Sequence, residues 1–113
     1  MKWGKYKIEY THSGRDDMRK MKRYILEEFK YREYAENFSK KMKAAADSLK
    51  TLPTGYDTTE FQYRGYDIYL KPYYTYQIFF VIDEISHVVT VLRVLHDGMD
   101  WKMILKQWLC END

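Results

Sequence analysis

The sequence predicts an α+β domain in which two amphipathic helices and a short C-terminal helix pack on a mostly antiparallel, curved β-sheet. Three observations predict it. The stretch Val88 to Trp101, VVTVLRVLHDGMDW, is a β-branched and leucine run apolar on both faces, which belongs inside a sheet covered on both sides. Ala35, Phe38, Met42, Ala45, Leu49 and Leu52 recur in steps of three and four, the spacing of one helical stripe. After Pro53-Thr-Gly55 the composition turns tyrosine-rich and alternating, as in short strands.

Taken in order, Lys5 to Tyr10 reads as a first strand, with Tyr6, Ile8 and Tyr10 on one side and Lys5, Lys7 and Glu9 on the other. Ser13-Gly-Arg-Asp16 has the form of a capping box, so the first helix should run from about Arg15 to Lys30, with Met18, Met21, Ile25 and Phe29 on its apolar side. The second helix carries the stripe from Ala35 to Leu52, keeps Lys40, Lys41, Lys43 and Lys50 off it, and stops at Pro53 and Gly55. Lys30 to Arg32 joins the two into a hairpin lying on the sheet.

Glu60 to Tyr63 and Tyr66 to Lys71 are expected as short strands around Arg64-Gly65, and Pro72 as a turn or bulge. Tyr76 to Asp83 is a strong strand whose Asp83-Glu84 turns into the interior strand. That strand should end at His96 in a positive-φ Asp97-Gly98 turn. Asp100 to Leu109 forms the last helix, burying Trp101, Ile104, Leu105 and Trp108. The order is β-α-α-β-β-β-β-α.

Length and composition narrow the classes further. At 113 residues the chain should form one domain, spanning residues 1–113. The net charge of +2 conceals an asymmetry: up to Leu52 there are 14 Lys and Arg against 8 Asp and Glu, and from Pro53 onward 5 against 9. A basic half of this kind suits nucleic acid or an acidic protein, or it is simply a solvated helix face. The single Cys110 excludes a disulfide framework and a cysteine metal site within one chain. No apolar run is long enough to span a bilayer, and a cytoplasmic, soluble protein is expected.

The opening strand and hairpin are followed by Leu52-Pro53 with Gly55-Tyr56, then by Gly65 before a short strand. Tyr76-Gln-Ile-Phe-Phe-Val-Ile-Asp83 comes next, then Val91-Leu-Arg-Val-Leu-His96 with Asp100-Trp101. In this order and spacing the chain resembles the RelE/ParE toxin superfamily of bacterial type II toxin–antitoxin systems. The resemblance implies a cytosolic toxin neutralised by a cognate antitoxin. The activity it implies first is cleavage of mRNA on the ribosome, without metal or other cofactor; the alternative is poisoning of DNA gyrase with no catalysis of its own. A degenerate toxin that only binds antitoxin is a third reading.

Metal-free RNA cleavage needs a base, an acid and cations on the phosphorane. His96 suits either proton role. Arg93, Arg64 and Lys71 suit phosphate oxygens, and Tyr73, Tyr74 and Tyr76 suit stacking on a splayed base. The mechanism expects these groups to converge on an open sheet face. An arginine inside an apolar strand has an alternative use, as an internal ion pair, with Asp83 or Asp100 the candidate acids. Asp100 suits a helix cap or a partner for His96.

Three features depart from the ribonuclease pattern: Met99 and Asp67 stand where basic residues are common, and the chain ends Leu-Cys-Glu-Asn-Asp. The gyrase reading needs no His96. An acidic, amphipathic antitoxin tail would lie on the basic helices, where it would meet Lys40, Lys41 and Lys43, or add to a sheet edge.

Overall fold

The computed structural model describes residues 5–113, apart from the side chain of Phe29. Strand β1 (Lys7–Tyr10) leads into helix α1 (His12–Phe29) and helix α2 (Arg32–Asp47). Two short 3-10 turns, Ser48–Lys50 and Pro53–Gly55, pass the chain to β2 (Asp57–Tyr63), β3 (Tyr66–Tyr73), β4 (Tyr76–Asp83) and β5 (Val88–His96). Helix α3 (Trp101–Asn112) closes the chain. The sheet order is β1-β5-β4-β3-β2, antiparallel except that β1 runs parallel to β5. This is the predicted α+β architecture, with the Val88 strand in the sheet interior.

Each face of the sheet carries its own core. On one face Met42, Ala45, Ala46 and Leu49 of the hairpin side pack on Ile78, Phe80, Val89, Val91 and Val94. Ile8 and Tyr10 of β1, and Tyr6 just before it, join them on the side their alternation predicts, while Lys7 and Glu9 form an exposed pair at 3.5 Å. On the other face Leu105 and Trp108 of α3 cover Ile68, Phe79, Val81, Leu92 and Leu95. The second face is therefore closed by the chain's own helix and not open, which corrects the expectation of a free sheet surface.

Several boundaries move for identifiable reasons. The N-cap of α1 is Thr11, not Ser13: its Oγ1 accepts from Gly14 N at 3.0 Å and donates to Leu92 O at 2.7 Å. Ser13 Oγ instead accepts from buried Trp108 Nε1 at 2.8 Å, tying α1 to α3. Helix α2 ends before Leu52, which is 77% exposed at φ 51°. A following proline disfavours helical backbone at that residue, so the last member of the stripe is expelled. Pro72 is neither turn nor bulge. It lies within β3 opposite Gln77, beyond the last β2–β3 pair, and the turn falls at Tyr74-Thr75 with Tyr74 at φ 55°. The bulges are in β2, between Thr58 and Gln62, and at Leu92 of β5.

Helix α1 docks on β5 through a glycine. A Cβ on Gly14 would lie 2.9 Å from Val91 O and 3.2 Å from Leu92 O, so only a bare backbone approaches this closely. Gly14→Ala should destabilise the protein by about 1–3 kcal/mol despite alanine's better helix propensity. Urea unfolding checks it; an unchanged or higher midpoint would show that α1 can slide off β5.

Candidate functional site

The site begins where β1 runs out. Its last pair is Tyr10 with Val91, while β5 continues to His96 with an unpaired edge. Edge amides need partners, and α1 supplies them. Thr11 takes Leu92 O, and one turn and a half later Asp17 Oδ2 accepts from Val94 N at 3.0 Å. The same carboxylate accepts from Arg93 Nε at 2.7 Å and Nη2 at 3.0 Å, a bidentate pair with side chains 17% and 11% exposed. Arg93 thus has an internal acid, but the partner is Asp17 and not Asp83 or Asp100. Asp83 accepts from Ile85 N and Ser86 N in the β4–β5 turn, which holds its carboxyl below the usual range; Asp100 caps α3 by accepting from Met103 N at 3.3 Å.

Beside this pair lies a cleft of about 660 Å³ between α1, the ends of β4 and β5, and the start of α3. Lys20 and Tyr24 of α1, Tyr76, Arg93, His96 and Met99 are among its walls. His96 Nδ1 accepts from Gly98 N at 3.1 Å, so the proton of the neutral ring resides on Nε2. The Asp97-Gly98 turn closes by this bond and by Met99 N to His96 O at 3.1 Å, without the expected positive φ. Tyr76 meets the imidazole edge-on at 5.2 Å and the Phe38 ring at a tilt, also at 5.2 Å. Burial first, then the neighbouring Tyr24 and Tyr34 hydroxyls, raises the Tyr76 pKa.

Of the residues singled out from sequence, Arg93, His96 and Tyr76 share this cleft. The others do not converge there. Lys71 Nζ donates to Ala45 O at 2.9 Å and to Ser48 Oγ, so its charge caps the C-terminal end of α2. Arg64 sits in the β2–β3 turn at φ 52°, its backbone N donating to Asp113 Oδ1 and its guanidinium 4.9 Å from the Tyr63 ring centre. That turn is at the opposite end of β3 from Tyr73 and the His96 end, roughly 20 Å or more away. Tyr73 packs partly on the hairpin-side core, and Tyr74 projects from the turn with its ring 4.7 Å from it. Lys40, Lys41 and Lys43 are exposed on α2.

Asp17, Lys20 and Tyr24 were not apparent from sequence. The signal was indirect: an arginine in an apolar strand requires an acid, but only the fold shows that the acid comes from α1.

The model of the ParE toxin family of type II toxin–antitoxin systems, parDE, matches residues 8–101. The chain belongs to that family. Solved structures share its fold. The ParDE toxin–antitoxin system of P. aeruginosa aligns with TM-score 0.63 and 10% identity, over 80% of this chain and 95% of that one. The RelBE2 toxin–antitoxin complex of Mycobacterium tuberculosis aligns with TM-score 0.55 and 21% identity, over 84% and 94%. The archaeal RelE–RelB complex of Pyrococcus horikoshii OT3 aligns with TM-score 0.52 and 13% identity, over 83% and 97%. A comparison with curated protein sequences finds no match. The protein is a type II toxin of RelE/ParE class, as the strand and closing motif suggested. Among the described residues, no helix of this toxin is long and apolar enough to cross a membrane.

Removing one partner of a bidentate, largely buried pair strands the other. Asp17→Asn should therefore cost about 3 kcal/mol in chemical unfolding, and Arg93→Met paired with it should recover much of that loss. Simple additivity of the two losses would show that the pair is not coupled.

Proposed function

We propose that this toxin acts by binding, as a DNA gyrase poison without chemistry of its own, and that a cognate antitoxin silences it. The observation that carries the reading is the engagement of Arg93. A phosphorane needs cations free to meet it, and this guanidinium is held on two nitrogens by Asp17. Lys71 is committed to the end of α2, and Arg64 stands at the far end of the sheet. Membership of the ParE toxin family supports the same branch.

The expected outcome is that the purified toxin inhibits supercoiling by gyrase or traps its cleavage complex. His96→Ala should retain that activity within about twofold, as expected for a surface change outside the binding machinery. Uninhibited gyrase, with no trapped complex, would overturn the proposal. A second reading, mRNA cleavage on the ribosome, draws on the His96–Tyr76 contact in the cleft. Purified ribosomes programmed with a message distinguish it: cleavage abolished by His96→Ala would establish that reading in place of the first.

For the antitoxin, the basic half of the chain favours an acidic, amphipathic tail across the hairpin. Reversing Lys40, Lys41 and Lys43 to glutamate should weaken the complex and flatten its salt dependence. Titrations at two ionic strengths check this, and unchanged affinity and slope would place the tail elsewhere.

A further inference from the structure

A second, smaller pocket of about 260 Å³ lies on the hairpin side, where the end of β1 meets α1 and α2, lined by Tyr10, Arg15, Met18, Arg19 and Lys43. Its volume is below the ~300–1,000 Å³ of pockets that take small-molecule ligands, and suits a single side chain. Tyr10 contributes an unusual group. Its hydroxyl oxygen is buried with no hydrogen-bond partner among the described residues. A buried hydroxyl without a partner is costly and uncommon, and asks for an acceptor.

Burial first, then the nearby Asp47, pushes the Tyr10 pKa up to about 12, with Arg15 opposing the rise. At neutral pH the group is therefore a proton donor. The Arg15 guanidinium lies over the Tyr10 ring, 5.3 Å from its centre. Among the described residues neither Arg15 nor Lys43 has a carboxylate within ion-pair distance, whereas Asp16 is shared by Arg19 at 2.9 Å and Lys20 at 3.1 Å.

We propose that this pocket is a carboxylate subsite that receives one aspartate or glutamate side chain of the antitoxin. It rests on the toxin–antitoxin reading above and names the chemistry of one contact within it. The exposed Arg15 side chain lifts from the ring as the carboxylate enters. The carboxylate then accepts from Tyr10 Oη while Arg15 and Lys43 neutralise it. The Tyr10 ring and Met18 surround the aliphatic stem. Charge complementarity selects an acid, and the small volume selects a side chain over a nucleotide phosphate.

Two probes test it: hexaglutamate, with hexaglutamine as control, and the protein encoded by the neighbouring reading frame. Hexaglutamate should shift the Arg15 Nε–H resonance saturably. The double variant Arg15→Gln/Lys43→Gln should weaken its binding about tenfold or more, while Lys40→Gln/Lys41→Gln should weaken it less.

Tyr10→Phe should move two readouts in opposite directions. The melting temperature of the free toxin should stay or rise, because an orphan hydroxyl is removed, while both probes bind more weakly. Equal weakening by the two lysine- and arginine-directed variants, or Tyr10→Phe binding both probes normally, would overturn the subsite. A neighbouring-frame protein that does not bind the wild-type toxin would count against the antitoxin reading, leaving hexaglutamate to decide the pocket. One that binds the double variant as tightly as wild type would overturn the subsite alone.

Discussion

Arg93 stands in a strand that up to its final His96 is otherwise valine, leucine and threonine, and a charge there must be neutralised before the strand can be buried. The partner comes from α1 because β1 is too short. After Tyr10 the edge of β5 is unpaired, and the chain turns over it so closely that position 14 has no room for a side chain. That approach brings Asp17 to the edge, where one carboxylate meets both a guanidinium and a strand amide. The short strand, the glycine, the bulge at Leu92 and the ion pair are thus parts of one solution.

This solution has a functional cost. A guanidinium held on two nitrogens in a largely dry setting is the wrong state for meeting phosphate, since leaving Asp17 would strand a carboxylate as well. The cleft beside it retains an imidazole, tyrosine hydroxyls and apolar walls. With that guanidinium engaged, the cleft is poorly equipped to stabilise a dianionic intermediate. The basic residues gather instead on the helices of the hairpin, and that distribution points the protein towards an acidic partner.

The sequence was legible where local pattern decides the outcome. The α2 stripe, the Tyr76–Asp83 strand and the Asp100 cap all follow from periodicity and side-chain chemistry, and all are present. It was less legible where a tertiary contact overrides a local signal. Ser13 carries a capping-box pattern, but Thr11 is nearer the β5 edge and makes the cap, freeing Ser13 for Trp108. Leu52 fits the helical stripe, but Pro53 breaks the helix before it. Lys71 and Arg64 have the chemistry for phosphate binding, yet register and topology send one to a helix end and the other to the far turn. The need for an acid beside Arg93 could be read from the strand alone; its identity could not, because the two residues are 76 positions apart.

Asp17, and not a ligand phosphate, holds the Arg93 guanidinium. NMR of the Arg93 Nε–H and Val94 amide, with and without a short single-stranded RNA, tests it most directly. Both protons should exchange slowly in the free protein and stay in place on titration with RNA. Rapid exchange of the Nε–H in the free protein, with a saturable shift as RNA is added, would contradict it.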